Sequence, residues 1–307
     1  VFAAERPIVL MYHRVERLDV DPWQLAVSPE NFATQVRLLS RDRQIVPMSW
    51  LGAELAAGRL PKHVAAITFD DGYSDLFRNA LPVLEAENCP GTVFVATSAI
   101  GRTDGVFWWD LLSRILLETP TLPRRIEVVV DRVRHGYDLG DADPRRRLDV
   151  LFRVHGLLKP LSRAVRDDAV ADLAAKTGVD PSPRERDLPM TLDQLRRMAA
   201  SKVVEIGAHT QWHPSLTSLG SEDLGREVSE SGRLCREWTG QPVTGFAYPY
   251  GDHDPQVVSA VRSAGYQWAV TTVMRWVGPG CDPLRVPRLL AADWDEAAFR
   301  REILNKG

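Results

Sequence analysis

Short apolar runs alternate along this chain with segments whose apolar positions recur at helical spacing. "PIVLMYH", "QIVPM", "HVAAITF" and "GTVFVAT" predict strands in the first third, and "KVVEIGAH", "VTGFAYP", "YQWAVTT" and "LRVPRLL" predict strands in the last. "SPENFATQVRLLSRD" predicts a helix with Ser28 as N-cap, Pro29 in its first turn, and Phe32, Val36 and Leu39 on one face. "SDLFRNALPVLEAEN", "DPQVVSAVRSAG" and "DWDEAAFRREILN" predict further helices. "SEDLGREVSESGRLCREWTG" predicts one whose stripe is Leu224, Val228 and Leu234 and whose stop is Gly240.

This alternation predicts an α/β fold, a parallel sheet of seven or eight strands with helices outside, either a closed barrel or an open doubly wound sheet. The barrel fits better because polar residues sit repeatedly where strands end. Asp70 and Asp71 follow "AAITF", His209 follows "VVEIGA", and Tyr250 follows "GFAYP". In a barrel those ends converge on one mouth. The rhythm breaks between residues 101 and 189, where "VFWWDLLSRILLETP" and "DPRRRLDVLFRVHGLLKPLSRAVRDDAVADLAAKTG" read as helices with arginines on solvated faces. Residues 101–189 are expected to be a helical insertion within one domain spanning 1–307.

Composition narrows the function classes. The 307 residues are 44% hydrophobic and 26% charged, ordinary globular material. Lys and Arg number 38 against 41 Asp and Glu, a net charge of −3, which argues against a nucleic-acid binder driven by phosphate neutralisation. Cys89, Cys235 and Cys281 are far apart and odd in number, and read as structural thiols rather than a disulfide framework or a zinc site. No apolar stretch reaches the ~20 residues that a membrane span needs. The expectation is a soluble chain with no transmembrane segment. "VFAAE" reads as the scar of a removed segment or as a disordered start, so cytoplasmic and exported compartments both stay open.

The candidate chemistry lies in two short runs. "AAITFDDGY" ends a buried strand in two adjacent carboxylates, which repel unless a positive group sits beside them and their tasks differ. "HTQWHP" supplies His209 and His213, four apart, a spacing that puts two imidazoles on one side of a helical turn stopped by Pro214. Two histidines and one carboxylate with an open position form the layout of a catalytic zinc-type site. One aspartate would then be a ligand and the other a base.

"TFDDGY" together with "HTQWHP" resembles the first two motifs of the NodB-type polysaccharide deacetylases, carbohydrate esterase family 4, over Ile8 to Leu304 apart from the insertion. The resemblance implies a distorted (β/α) barrel of about seven strands. It also implies hydrolysis of the linear C–N amide bond of an N-acetylated amino sugar in a polysaccharide or other glycan. By the same resemblance Asp70 is the catalytic base, and Asp71, His209 and His213 hold Zn2+ or another divalent transition metal such as Co2+ or Ni2+. "GFAYPYG" resembles the third motif and puts Tyr250 where the family uses a backbone N–H as oxyanion donor.

Two departures accompany the resemblance. Ala247 stands where the third motif carries an arginine that braces the base, and no fourth-motif aspartate is evident in "YQWAVTTVMRW". Arg288, in "RVPRLL", is the replacement candidate, with a surface or structural salt bridge as the alternative. Arg288, Trp109, Thr210 and Trp212 are also the candidate substrate contacts, and Trp108 and Trp294 add aromatic surface suited to a sugar. The family's general acid is a histidine ending a late strand, but no histidine follows His253. "IVLMYH" has that form, which implies a circularly permuted order with His13 as general acid, protonated in the working range and opposite the base. The alternative is a strand-end histidine bonded to a backbone carbonyl. Two other functions stay open: a carbohydrate-binding pseudoenzyme of the same fold, and an amidohydrolase of small non-sugar amides.

Overall fold

The computed structural model describes residues 5–103, 107–140 and 143–305. The first four residues of the "VFAAE" start lie outside the described residues. Seven strands, β1 (Ile8–Tyr12), β2 (Val64–Phe69), β3 (Gly91–Val95), β4 (Val204–Ala208), β5 (Gly245–Ala247), β6 (Trp268–Met274) and β7 (Val286–Leu290), are all parallel. They close in the order β1–β7–β6–β5–β4–β3–β2 and back to β1. The first strand of the chain therefore lies between the last strand and the one that leads to Asp70. A two-residue strand, Gln44–Ile45, adds to the start of β2.

Both faces of a parallel barrel strand are covered, so its sequence is a near-continuous apolar run. The burial follows: every residue of β1, β2, β3 and β7 but Leu290 is buried. One face packs outward with Phe32, Val36 and Leu39 of the helix Pro29–Asp42 and Leu224 and Val228 of the helix Ser221–Thr239. Along that second helix Leu234 is only half-buried while Ser231, Gly232 and Cys235 are buried, and Gly240 closes the helix in the left-handed region at φ 70°. The Ser28 hydroxyl does not cap its own helix; it donates to Asp293 Oδ1 at 2.6 Å.

Along the other face Val9, Ala66, Phe94, Ala247, Trp268, Val270 and Val286 meet inside the barrel. Met48, Leu51 and Leu55 of the helix Met48–Ala56 join them and stop the end of the barrel where the strands begin. Two glycines make room for the large rings. A Cβ at Gly245 would run into the Trp268 indole, and one at Gly207 into the Phe94 ring.

A second compact unit comprises Arg102–Leu188 together with Asp19–Trp23. It holds the helices Trp108–Ser113, Pro144–Leu158 and Arg163–Thr177 around a core of its own. It is not wholly helical, because Arg125–Val130 and Val133–Asp138 form an antiparallel hairpin with Ile126, Val128 and Val130 turned inward. Nor are all its arginines on solvated faces. Arg114 and Arg147 are buried, Arg114 donating to the Asp180 and Ser182 carbonyls and Arg147 to those of Thr119 and Pro120. Loop carbonyls cut off from water need donors, and these guanidinium groups supply them.

Gly245→Ala should destabilise the protein by about 1–3 kcal/mol in urea titrations, the usual cost of overpacking a close contact. Gly225→Ala, in the helix Ser221–Thr239 with no heavy atom within 4 Å of the new Cβ, should instead stabilise by roughly 0.5–1 kcal/mol. Equal effects would contradict the close approach at Trp268.

Candidate active site

Alternate side chains of a strand share a face. Counting by twos from the barrel-lining residues gives His13 from Val9 on β1, Asp70 from Ala66 on β2, His209 from Gly207 on β4, and Arg288 from Val286 on β7. Four charged or titratable groups thus emerge at one end of an apolar bore, three of them just past strand ends. Arg288 reaches Asp70 through both terminal nitrogens, Nη1 to Oδ1 at 2.8 Å and Nη2 to Oδ2 at 2.6 Å. It also donates to Thr68 Oγ1 at 3.1 Å and, through Nε, to the Thr271 carbonyl at 2.9 Å. That carbonyl is available because β6 is irregular there, four residues of β6 running alongside two of β7.

Burial alone would push the Asp70 carboxyl up. The Arg288 charge and hydrogen bonds, helped by His209 and His13, overcome burial and hold it well below the usual carboxylate range. Arg288 as a substrate contact is corrected by its surroundings: it has no exposed surface and its donors are turned onto the protein.

Asp71 enters the left-handed region at φ 70°, which turns its carboxyl away from its neighbour and towards the histidines. Asp71 Oδ1 lies 3.4 Å from His209 Nε2 and 3.4 Å from His213 Nε2. One ligand atom from each of the three residues can be chosen so that all lie within 4.8 Å of one another, and all three residues are buried. His209 Nδ1 is 2.8 Å from the Ala247 carbonyl, the bond that frees Nε2 for a cation. Asp71 Oδ1 is buried and has no hydrogen bond among the described residues. An unsatisfied carboxylate oxygen with two imidazole nitrogens converging on it fits a divalent ion of zinc type. Burial opposes the ionisation of Asp71, and the surrounding histidines outweigh it, keeping the carboxyl below its ordinary range.

"HTQWHP" is not a helical turn. Thr210 and His213 are both left-handed, at φ 64° and 54°, and the run is a loop after β4. The Thr210 hydroxyl accepts the His213 N–H at 3.0 Å, and Glu227 accepts the N–H groups of Gln211 and Trp212 at 2.8 and 3.0 Å. On the other side the Thr97 and Ser98 N–H groups donate to the carbonyls of Thr210 and Gln211. These bonds replace the helical ladder and bring the two imidazoles together, ring centres 4.7 Å apart. Glu227 was not identified from sequence, since an acid in a polar helix carries no mark of the loop it holds. Thr210 is fully buried in this clasp, which corrects its assignment as a substrate contact. Trp212, in the same loop, is half-buried.

Tyr250, also left-handed at φ 59°, follows β5 and sets its ring edge-on to His213, centres 4.5 Å apart. His13 Nε2 lies 3.8 Å from Asp70 Oδ2, beside the base candidate rather than opposite it. Burial lowers the His13 pKa below the ordinary imidazole value, and the Asp70 and Asp71 charges only partly offset it, which disfavours the protonated form expected for the acid. Trp109 is buried in the core of the second unit, stacked on Phe107 at 4.5 Å, and Trp108 is buried there against His155. Neither offers the ring face that a sugar platform requires, which corrects Trp109 as a substrate contact. Trp294 is half-buried against the core outside the barrel.

A family model described as polysaccharide deacetylase matches residues 57–121 and 174–269, just over half of the chain. The poly-β-1,6-N-acetyl-D-glucosamine N-deacetylase of Staphylococcus epidermidis is 21% identical over 300 residues, covering 93% of this chain and 79% of that protein. Among solved structures, IcaB from Ammonifex degensii superposes with a TM-score of 0.61 at 20% identity, covering 97% of this chain and 95% of that one. The Streptococcus pyogenes deacetylase PplD, in complex with acetate, gives 0.60 at 17% identity, over 94% and 93% of the two chains. At such identities the structural likeness establishes the fold.

Arg288→Met should cost about 3–5 kcal/mol at neutral pH, because it leaves a buried carboxylate without its partner. The depressed pKa of Asp70 contributes stability that is complete above the unfolded-state pKa and lost as pH falls through the folded one. Without the guanidinium that pKa rises, so the gap between wild type and Arg288→Met should narrow on acidification. Urea titrations between neutral and acidic pH test this, and a gap that widens would rule out the pairing as its source.

Proposed function

The chain belongs to the polysaccharide deacetylase family, and from that premise we propose that it is a metal-dependent hydrolase removing N-acetyl groups from the amino sugars of a glycan. The observation that carries this reading is the buried cluster of Asp71, His209 and His213 beside an Asp70 that is kept ionised. Those three residues would hold the ion, zinc or a similar divalent metal. Bound there, it supplies Lewis-acid polarisation of the acetamide carbonyl and acidifies water. The relative from Staphylococcus epidermidis makes poly-β-1,6-N-acetylglucosamine the first substrate to try.

The chain's own residues divide the proton work. Asp70 accepts the proton of the attacking water, its charge held ready by Arg288. The Tyr250 backbone N–H, presented by a left-handed residue after β5, donates to the oxygen that gains charge. His13 protonates the departing amine. Burial lowers its pKa and so favours the form that can take up a proton, and the proton taken by Asp70 has 3.8 Å to cover to reach it. The place of β1 between β7 and β2 supports a permuted motif order, since His13 then ends a strand that adjoins both the base and its brace. Trp212 is the aromatic candidate for contact with the sugar.

The departure at Ala247 favours a second reading, a glycan-binding protein without turnover. Against it, Arg288 makes from β7 the bidentate contact that Ala247 cannot make from β5. Acetate release from a panel of N-acetylated glycans, with and without chelator, separates the two. Release that chelator abolishes supports the hydrolase, and tight glycan binding with no acetate under any metal supports the alternative.

Asp70→Asn should retain the ion and lose turnover by on the order of 10²-fold or more, since an amide of the same size cannot accept the proton. Asp71→Asn should reduce the metal retained after dialysis. Elemental analysis beside acetate release reads both, and identical behaviour of the two variants would refute the division of labour. His13→Ala should lose far more activity on an N-acetyl amide than on an activated acetyl ester, whose leaving group needs no proton. Equal loss on both would remove His13 from the role of acid.

A further inference from the structure

We propose that Asp75 is a positioning residue that sets the general acid against the base. The inference rests on the reading of His13 as that acid. His13 Nδ1 is buried and meets no hydrogen-bond partner among the described residues, so no bond of its own orients the ring. Histidines that act in proton transfer are ordinarily aimed by such a bond. The aim of this imidazole is therefore inherited from the backbone that carries it.

That backbone is held by Asp75. The Val15 N–H donates to Asp75 Oδ1 at 3.0 Å, and Arg14 Nε donates to Oδ2 at 2.9 Å. The Arg14 guanidinium lies over the Tyr73 ring, 4.2 Å from its centre, and Asn79 Nδ2 donates to the Val15 carbonyl at 2.7 Å. Arg14 and Asp75 are both buried. Before His13, the Tyr12 carbonyl accepts the Asp70 N–H at 3.0 Å. His13 is thus bracketed on both sides by bonds to one stretch of chain, residues 70–79, which also carries Asp70 and Asp71. Arg14 and Val15 are also paired with Ala26 and Val27, and the Arg14 N–H donates to the Leu25 carbonyl at 3.1 Å, so residues 70–79 are one of two anchors after His13 and the one that also carries Asp70 and Asp71.

An ion pair that only stabilised the fold would, when broken, weaken every activity alike. One that places the acid would weaken the step that needs the acid. Asp75→Asn keeps the shape of the side chain and one acceptor oxygen while removing its charge. On an N-acetyl amide its kcat should fall on the order of tenfold to 10²-fold, the scale of a misplaced catalytic group, with KM unchanged. On an activated acetyl ester kcat should be nearly unchanged, and metal content should equal that of wild type. Asn79→Ala, which loosens the same anchor without breaking a buried charge pair, should show a smaller loss of the same selectivity, and serves if Asp75→Asn does not fold. Equal losses on amide and ester, or no loss, with His13→Ala selective for the amide, would overturn the role of Asp75 alone. An unselective His13→Ala would overturn the acid assignment and the positioning role with it.

Discussion

The ion pair between Asp70 and Arg288 is the constraint around which the mouth of the barrel is arranged. Asp70 follows β2 and Arg288 comes from β7, the two strands that flank β1, so the pair passes across β1 inside the barrel below His13. The remaining guanidinium donors reach Thr68 on β2 and the Thr271 carbonyl on β6. Burying two charges gains little stability by itself, because desolvation offsets most of the attraction. What the pair secures is a charge state. A carboxyl as deeply buried as Asp70 would otherwise hold its proton, and a carboxyl that holds its proton accepts none.

The same constraint gives the neighbouring aspartates different characters. Asp70 faces a permanent cation and is satisfied within the protein. Asp71 turns through a left-handed backbone towards two imidazoles that can also be neutral, and its Oδ1 has no hydrogen bond among the described residues. Adjacent residues of one type thus become a base candidate and a ligand candidate through the direction each side chain takes at the end of β2.

How much of this was legible in the sequence follows from the physics of each part. Barrel strands are apolar on both faces, so "IVLMY", "VAAITF" and "GTVFV" read directly as strands, and polar residues at their ends stood out. The spacing of His209 and His213 drew attention to two imidazoles that the structure does bring together, though not through a helical turn. Four residues of loop with left-handed turns at Thr210 and His213 close the same distance as a helical turn. Arg288 was found by its place on the last strand, but whether it faced solvent or Asp70 depended on burial, which a lone arginine does not encode. The same gap misassigned Thr210 and Trp109, both buried. The hairpin in the second unit shows its alternation at Ile126, Val128 and Val130, obscured by the arginine-rich helical segments that follow it.

Four residues of the site, Asp71, Thr210, His213 and Tyr250, occupy the left-handed region without being glycine. Each costs on the order of 1–2 kcal/mol, so the local backbone would relax if it were free. It is not free, because each turn is tied to a neighbouring element. The Ala96 N–H fixes Asp71 by donating to its carbonyl at 3.3 Å, and the Thr97 N–H does the same for Thr210 at 3.1 Å. The Thr210 hydroxyl binds the His213 N–H, and Thr272 Oγ1 donates to the Tyr250 carbonyl at 3.2 Å. Every tie runs within the mouth or to the next strand around it. A closed ring of strands has no edge at which such loops could peel away, and that closure lets a strained set of turns hold a carboxylate and two imidazoles around one point, with the Tyr250 ring against His213.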